Sequence, residues 1–268
     1  MRTSFIFVLS LFSVAVFSGC FEVETSITVK RDGSGTVREH VVLKNEMIIM
    51  MLKLTQQMRG DDEKQEGGQE LFDQKTLREK AGSMGEGVTF VSGKALTDDG
   101  EGYEATYAFK DVNTLRVKTI PDFQQPNSAG DRDEEEDRKE ITFEFRKGSP
   151  ATLIVFTPLV ERNKREFSDE EQEDERESIE TARMLLKDFR ISTVIEIDGT
   201  VVESDATFRE KSRIILTDID FDKLTADENL LRAAMKNDNL SDEEVKELMK
   251  KHPGLKVELN KKTTVRFR

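Results

Sequence analysis

From residue 21 onward the sequence alternates. In FEVETSITVKRDGSGTVREHVVL, Val23, Thr25, Ile27 and Val29 share one face of an extended chain, and Glu24, Ser26, Thr28 and Lys30 share the other. A period of two marks a half-buried strand, because successive side chains point to opposite faces. Arg31–Gly35 then offers an Asp-Gly pair and a second glycine, and Val37, Glu39, Val41 and Leu43 resume the alternation. The pattern predicts a β-hairpin, which commits this part of the chain to antiparallel pairing. The grammar recurs in Val88, Phe90 and Ser92, the turn Asp98–Gly102, and then Tyr103, Ala105, Tyr107 and Phe109. Ile141, Phe143 and Phe145 turn through Lys147–Pro150 into ATLIVFTP. Ile191, Thr193, Ile195 and Ile197 run into Asp198-Gly199, which reads as another hairpin turn with VVESDATF returning. RIILTDIDF reads as a further strand, and LKVELNKKTTVRFR closes the chain as two short ones.

Helical signals lie between these strands. NEMIIMMLKLTQQM places Met47, Met51, Leu54 and Met58 at helical spacing, and a weaker helix is predicted over 70–81. Ser168 with Glu171 has capping-box spacing and heads a helix whose later part aligns Ile179, Ala182, Leu186 and Phe189. Thr225 with Glu228 and Ser241 with Glu244 head short helices at about 226–236 and 242–250. The expected class is therefore α+β, with antiparallel sheets from DG-turn hairpins packed against a few helices. Residues 1–19 read as a leader, 20–158 as an N-terminal α+β region, 159–178 as an acidic linker and helix start, and 179–268 as a C-terminal α+β region; the two regions form one domain or two.

The leader carries an address. Phe5–Phe17 is an apolar run behind Arg2, and as a helix it would be roughly 20 Å long, short of a hydrocarbon layer of about 30 Å. Ser18 and Gly19 supply the small residues that signal processing needs, and Cys20 is the only cysteine. A lone cysteine has no partner for an internal disulfide. The stretch resembles the lipobox of bacterial lipoproteins, with Phe17 where that family prefers Leu. The resemblance implies cleavage before Cys20, a diacylglycerol on its thiol and fatty-acyl chains such as palmitate; the alternative is an ordinary secretory signal. Two or more acyl chains suffice for stable anchoring. Residue 21 is Phe and not the Asp that retains many Gram-negative lipoproteins at the inner membrane, so the resemblance favours the outer membrane if the host is Gram-negative.

Composition narrows function. A net charge of −13 argues against nucleic acid, whose phosphates require a basic face. His40 and His252 stand far apart in sequence, the first opposite Val37, Val41 and Leu43 on its strand and the second at a helix stop before Pro253. No serine has a neighbouring histidine to activate it, and zinc of the His/Cys kind lacks ligands. No catalytic residue, cofactor or metal is expected, although 54 acidic residues leave two-carboxylate hydrolysis open as a remote alternative. Asp218, Asp220 and Asp222 begin like a calcium loop, but Lys223 stands where such a loop needs Gly and Asn229 where it needs Glu; they read as strand residues facing water. Lys250, Lys251, Lys261, Lys262, Arg266 and Arg268 read as outward residues of an edge hairpin, the alternative being contact with phospholipid headgroups.

GCFEVETSITVKRDGSGTVREHVVL and IDGTVVESDATFREKSRIILTDIDFDKL together resemble LppM-type bacterial lipoproteins. That resemblance implies an α+β exported region, binding of envelope lipids and no catalytic machinery, with Cys20 alone carried over as the acylated position. The methionines of 47–58 admit two compatible readings: a helix covering the sheet, or an adaptable surface for a greasy ligand or partner. The expected protein is a non-catalytic, lipid-anchored lipoprotein facing the periplasm or exterior. It would hold a lipid, another hydrophobic ligand or a membrane-protein partner; the alternative is a scaffold subunit of an envelope assembly.

Overall fold

The computed structural model describes residues 21–44, 72–96, 100–118, 140–158, 179–180, 183, 186–227, 231 and 242–268. Cys20, Met47, Met51, Leu54, Met58 and the segment 159–178 lie outside the described residues. The first half contributes β1 (Phe21–Val29), β2 (Gly35–Lys44), α1 (Gln74–Ser83), β3 (Thr89–Leu96), β4 (Gly100–Phe109), β5 (Arg116–Lys118), β6 (Glu140–Arg146) and β7 (Ala151–Phe156). The second contributes β8 (Phe189–Ile197), β9 (Val201–Ser204), β10 (Arg209–Glu210), β11 (Arg213–Asp220), α2 (Phe221–Thr225), α3 (Asp242–Lys251), β12 (Leu255–Val257) and β13 (Lys262–Phe267). Strands dominate, with few helices, so α+β holds in its broad sense.

The larger sheet has eight strands in the order β10-β11-β8-β1-β2-β4-β3, with β12 added beside β11; the smaller has five, ordered β5-β6-β7-β13-β9. Both draw strands from either side of 159–178, and they share one hydrophobic core. The predicted hairpins β1–β2, β3–β4 and β6–β7 form, and β2 pairs with β4, so the first two hairpins make one continuous sheet.

Three expectations are corrected. The sheet is mixed, because β1 and β8 pair in parallel from Phe21↔Phe189 to Val29↔Ile197. Asp198-Gly199 does not close a hairpin. Both edges of β8 are already taken, by β1 and β11, so no edge remains for a returning strand. The chain instead leaves the large sheet: Asp198 N–H donates to the Val29 carbonyl, Thr200 N–H donates to the Arg268 carbonyl, and β9 pairs with β13 in the small sheet. Likewise β12 and β13 belong to different sheets, and β13 lies between β7 and β9, so Arg266 is not on an edge hairpin; it pairs with Glu203 at 2.7 Å.

Local chemistry explains the boundaries. α1 starts at Gln74, after the predicted start at 70, because the Asp73 carboxylate caps it, accepting from Lys75 N at 3.0 Å and Thr76 N at 3.1 Å. Phe189, read as the end of a helical stripe, instead opens β8. The first turn needs its glycines. Gly33 has φ +88°, and a Cβ there would lie 2.7 Å from the Phe145 ring of the small sheet. A Cβ on Gly35 would collide with the Thr28 carbonyl and the Phe109 ring. Gly35→Ala is expected to destabilise the fold by about 1–3 kcal/mol through overpacking, read as a lowered urea midpoint at unchanged m-value.

Candidate functional site

The large sheet presents one face to the core, and its registers can be followed rung by rung. One rung is Tyr103–Val41–Val23–Ile191, and four residues further along comes Tyr107–Val37–Ile27–Ile195–Ile214. Between these apolar rungs runs Gly93–Ala105–Glu39–Thr25–Thr193–Thr217, in which every residue is small or polar. Glu39, Thr25, Thr193 and Thr217 are all buried. A polar seam crossing a buried sheet face opposes the hydrophobic driving force and needs partners.

Glu39 receives them from α1 and β4. Its side chain is 5% exposed, and Lys80 Nζ donates to its Oε2 at 2.7 Å. The Tyr103 hydroxyl donates to the same oxygen at 3.2 Å, and Lys80 Nζ also lies 3.3 Å from that hydroxyl. Helix α1 lies beside β3 and β4 with Leu77 and Ala81 buried, and Lys80, one residue before Ala81, reaches inward while 25% exposed. Gly93 permits this approach, since a Cβ there would already sit 3.2 Å from Leu77. Tyr107 completes the group. It is fully buried, edge-on to Phe90 at 6.0 Å between centroids, and its hydroxyl has no hydrogen-bond partner among the described residues. Thr193 Oγ1 further along the seam is in the same position.

Electrostatics keep both phenols neutral. Burial pushes the Tyr103 hydroxyl far above the ordinary phenol value, and the Glu39 charge and their hydrogen bond push it further. Tyr107 is raised mainly by burial, then by Glu39, with Lys80 partly opposing. The cluster is thus a compensated ion pair flanked by two buried hydroxyls held in the protonated form.

Elsewhere the buried Thr157 and Thr263 hydroxyls likewise have no hydrogen-bond partner among the described residues, but the carboxylates of Glu258, Asp218, Asp220 and Asp222 are committed. The other buried carboxylate among the described residues, Glu258, accepts from Thr207 N at 2.7 Å and from the Thr207 hydroxyl at 2.6 Å. The aspartates of DIDFD are not simply in water: Asp218 accepts from Arg190, Asp220 caps α2, and Asp222 accepts from Asp188 N at 2.8 Å. His252 packs with Nε2 3.4 Å from the Asp227 carboxylate and is more enclosed than its position at a helix stop suggested. His40 stands on the outer face of β2 in register with Glu24 and Glu104. Among the described residues no group of three or more His, Cys, Asp or Glu is placed to hold a metal, and no helix is long and apolar enough to cross a membrane. A cleft of about 120 Å³ beside Glu203, Ser204, Asp205, Thr264 and Arg266 is too small for an acyl chain.

The end of the sheet nearest residue 20 is aromatic. Phe21 stacks on Phe189 at 4.5 Å with planes 5° apart, and Phe221 meets Phe189 edge-on at 4.7 Å. Phe21 N–H donates to the Asp188 carbonyl at 3.2 Å, so the fold is closed from its first strand residue.

Sequence reasoning placed Glu39, Tyr103 and Tyr107 on apolar strand faces but did not assemble them. A carboxylate in step with Val37 and Val41 was the available signal.

No family model matches the chain, and no curated protein matches it. Among solved structures, the chain is similar to the folded domain of the LppM protein of Mycobacterium tuberculosis, determined by NMR. The TM-score is 0.27 at 10% identity, covering 74% of this chain and 81% of that one. The expected LppM-type relation is met only to the extent of this weak structural neighbour, and no residue role follows from it.

Proposed function

We propose that the protein is a non-catalytic lipoprotein of a bacterial envelope. Acyl chains on Cys20 hold it at the membrane, and the folded body keeps a lipid or other hydrophobic ligand close to that surface. The observation that carries this reading is where the fold begins. Phe21, one residue after Cys20, is already the first residue of β1, an interior strand paired on both sides. One residue spans less than 4 Å, so a lipid on Cys20 would leave almost no linker and hold the aromatic end of the large sheet against the headgroups. The ligand part of the reading is supported by the buried face carrying orphan hydroxyls.

Labelled palmitate fed to the producing bacterium tests the anchor. The mature chain should carry label and sediment with membranes, whereas Cys20→Ser should be unlabelled and released. A wild-type product with a free thiol or an uncut leader overturns the reading. Extraction of the purified protein should yield a bound amphiphile; a stoichiometric cross-linked protein in its place would favour a scaffold.

A further inference from the structure

We infer that leader removal and folding are ordered in this protein: the peptide bond between Gly19 and Cys20 is cut while β1 still lacks its parallel partner β8, and the completed fold shields that bond. The inference rests on the lipoprotein reading above and fixes the stage at which its maturation takes place.

The cut itself is a hydrolysis: water adds across the amide, leaving a carboxylate on the leader and an amine on Cys20. A peptidase takes the residues around such a bond as an extended segment whose backbone groups it can pair. In the completed fold the residues after the bond have none to offer. Phe21 is 5% exposed and its N–H donates to the Asp188 carbonyl at 3.2 Å. From Phe21 onward both edges of β1 are taken, one by β2 and the other by β8. A segment held in this way is cut only through local opening, at a rate set by the small open population.

The two partners of β1 are made at different times. β2 follows within residues 35–44, but a two-stranded hairpin alone is marginally stable in water. On its other side Phe21 is pinned by late parts of the chain: the Asp188 carbonyl, the Phe189 ring stacked on it at 4.5 Å, and Phe221 edge-on behind Phe189 at 4.7 Å. At about 5–20 residues/s, synthesis from the end of β1 at Val29 to the end of β8 at Ile197 takes roughly 10–30 s. One edge of β1 is open throughout that time. Pairing in register from Phe21↔Phe189 to Val29↔Ile197 then ends the processing window.

Pulse–chase of the full-length precursor in the producing bacterium tests the order, with cleavage halted by a reversible inhibitor of the lipoprotein signal peptidase. The wild type is compared with a variant carrying an eight-residue Gly/Ser insert between Cys20 and Phe21, which when extended lifts the bond about 25 Å clear of the fold. Without inhibitor the two should mature at the same rate. The halt is held until the body resists added protease, and the inhibitor is then removed. The insert variant should resume at its former rate, and the wild type at least tenfold more slowly. Phe189→Ala, which removes the ring stacked on Phe21, should recover about threefold of that loss. Equal resumption by wild type and insert variant overturns the inference and leaves the lipoprotein reading in place. A wild type slower than the insert variant even without inhibitor would put the shielding in the β1–β2 hairpin and overturn the order assigned to β8. If neither precursor is cut under any condition, the lipoprotein reading and the inference fall together.

Discussion

Lys80→Met should lower the stability of the protein by about 3–5 kcal/mol, because it strands a charge that the fold has buried. Glu39 is 5% exposed and would keep only the hydroxyl of Tyr103 at 3.2 Å. Lys80 is 25% exposed, so the reverse substitution is milder: in Glu39→Leu the ammonium can swing towards water on its flexible stem. The asymmetry separates a buried-charge penalty from simple loss of a contact. Adding Glu39→Leu to Lys80→Met removes both charges and should return stability to within about 1 kcal/mol of the parent, since an apolar pair of similar volume replaces a desolvated ion pair at little net cost. Urea unfolding of the two single variants and the double variant measures all three. A cost below about 1 kcal/mol for Lys80→Met would mean that the pair behaves as a surface salt bridge and that Glu39 is solvated.

The same residues show what a sequence of this kind discloses. Alternation revealed the strands and put Glu39, Tyr103 and Tyr107 on inward faces, because inward and outward positions are fixed by a period that is local. Hairpins β1–β2, β3–β4 and β6–β7 were legible for the same reason: turn chemistry lies between the strands it joins. Pairing across long separations has no such local mark. Nothing in Ile191–Ile197 says that its neighbour is β1, lying parallel, and Asp198-Gly199 has the residues of a hairpin turn without a free edge to fold back on. The site failed to assemble on the same ground. Lys80 is one cation among 41, on a helix whose sequence gives no sign that its side chain reaches Glu39 on β2, and only tertiary packing selects it. Cys20 and the methionines of 47–58, the residues most readily singled out by eye, lie outside the described structure. The polar seam that the structure exposes was written in sequence as Thr25, Glu39 and Thr193 in apolar alternations, each unremarkable until the register aligned them.

Alkaline titration should reveal the seam in intact protein. Both tyrosines are held neutral by burial and by the Glu39 charge, well above the ordinary phenol value of about 10. The folded state therefore binds more protons than the unfolded chain above pH 10, so stability is unaffected below that value and falls as pH rises beyond it. The slope is about 1.4 kcal/mol per pH unit for each tyrosine, and by pH 11.5 the two together withdraw about 4 kcal/mol from a total that is about 5–15 kcal/mol for an ordinary domain. With no tryptophan in the chain, tyrosinate absorbance near 295 nm has no other source. That absorbance should stay flat while the protein is folded, then rise in one cooperative step that coincides with loss of the strand signal in circular dichroism. Tyr107→Phe should halve the step and move it to higher pH, because it deletes one of the two linked protons together with an orphan hydroxyl. A gradual rise centred near pH 10 with the strand signal intact would show phenols in contact with water, and the buried cluster would not exist as described.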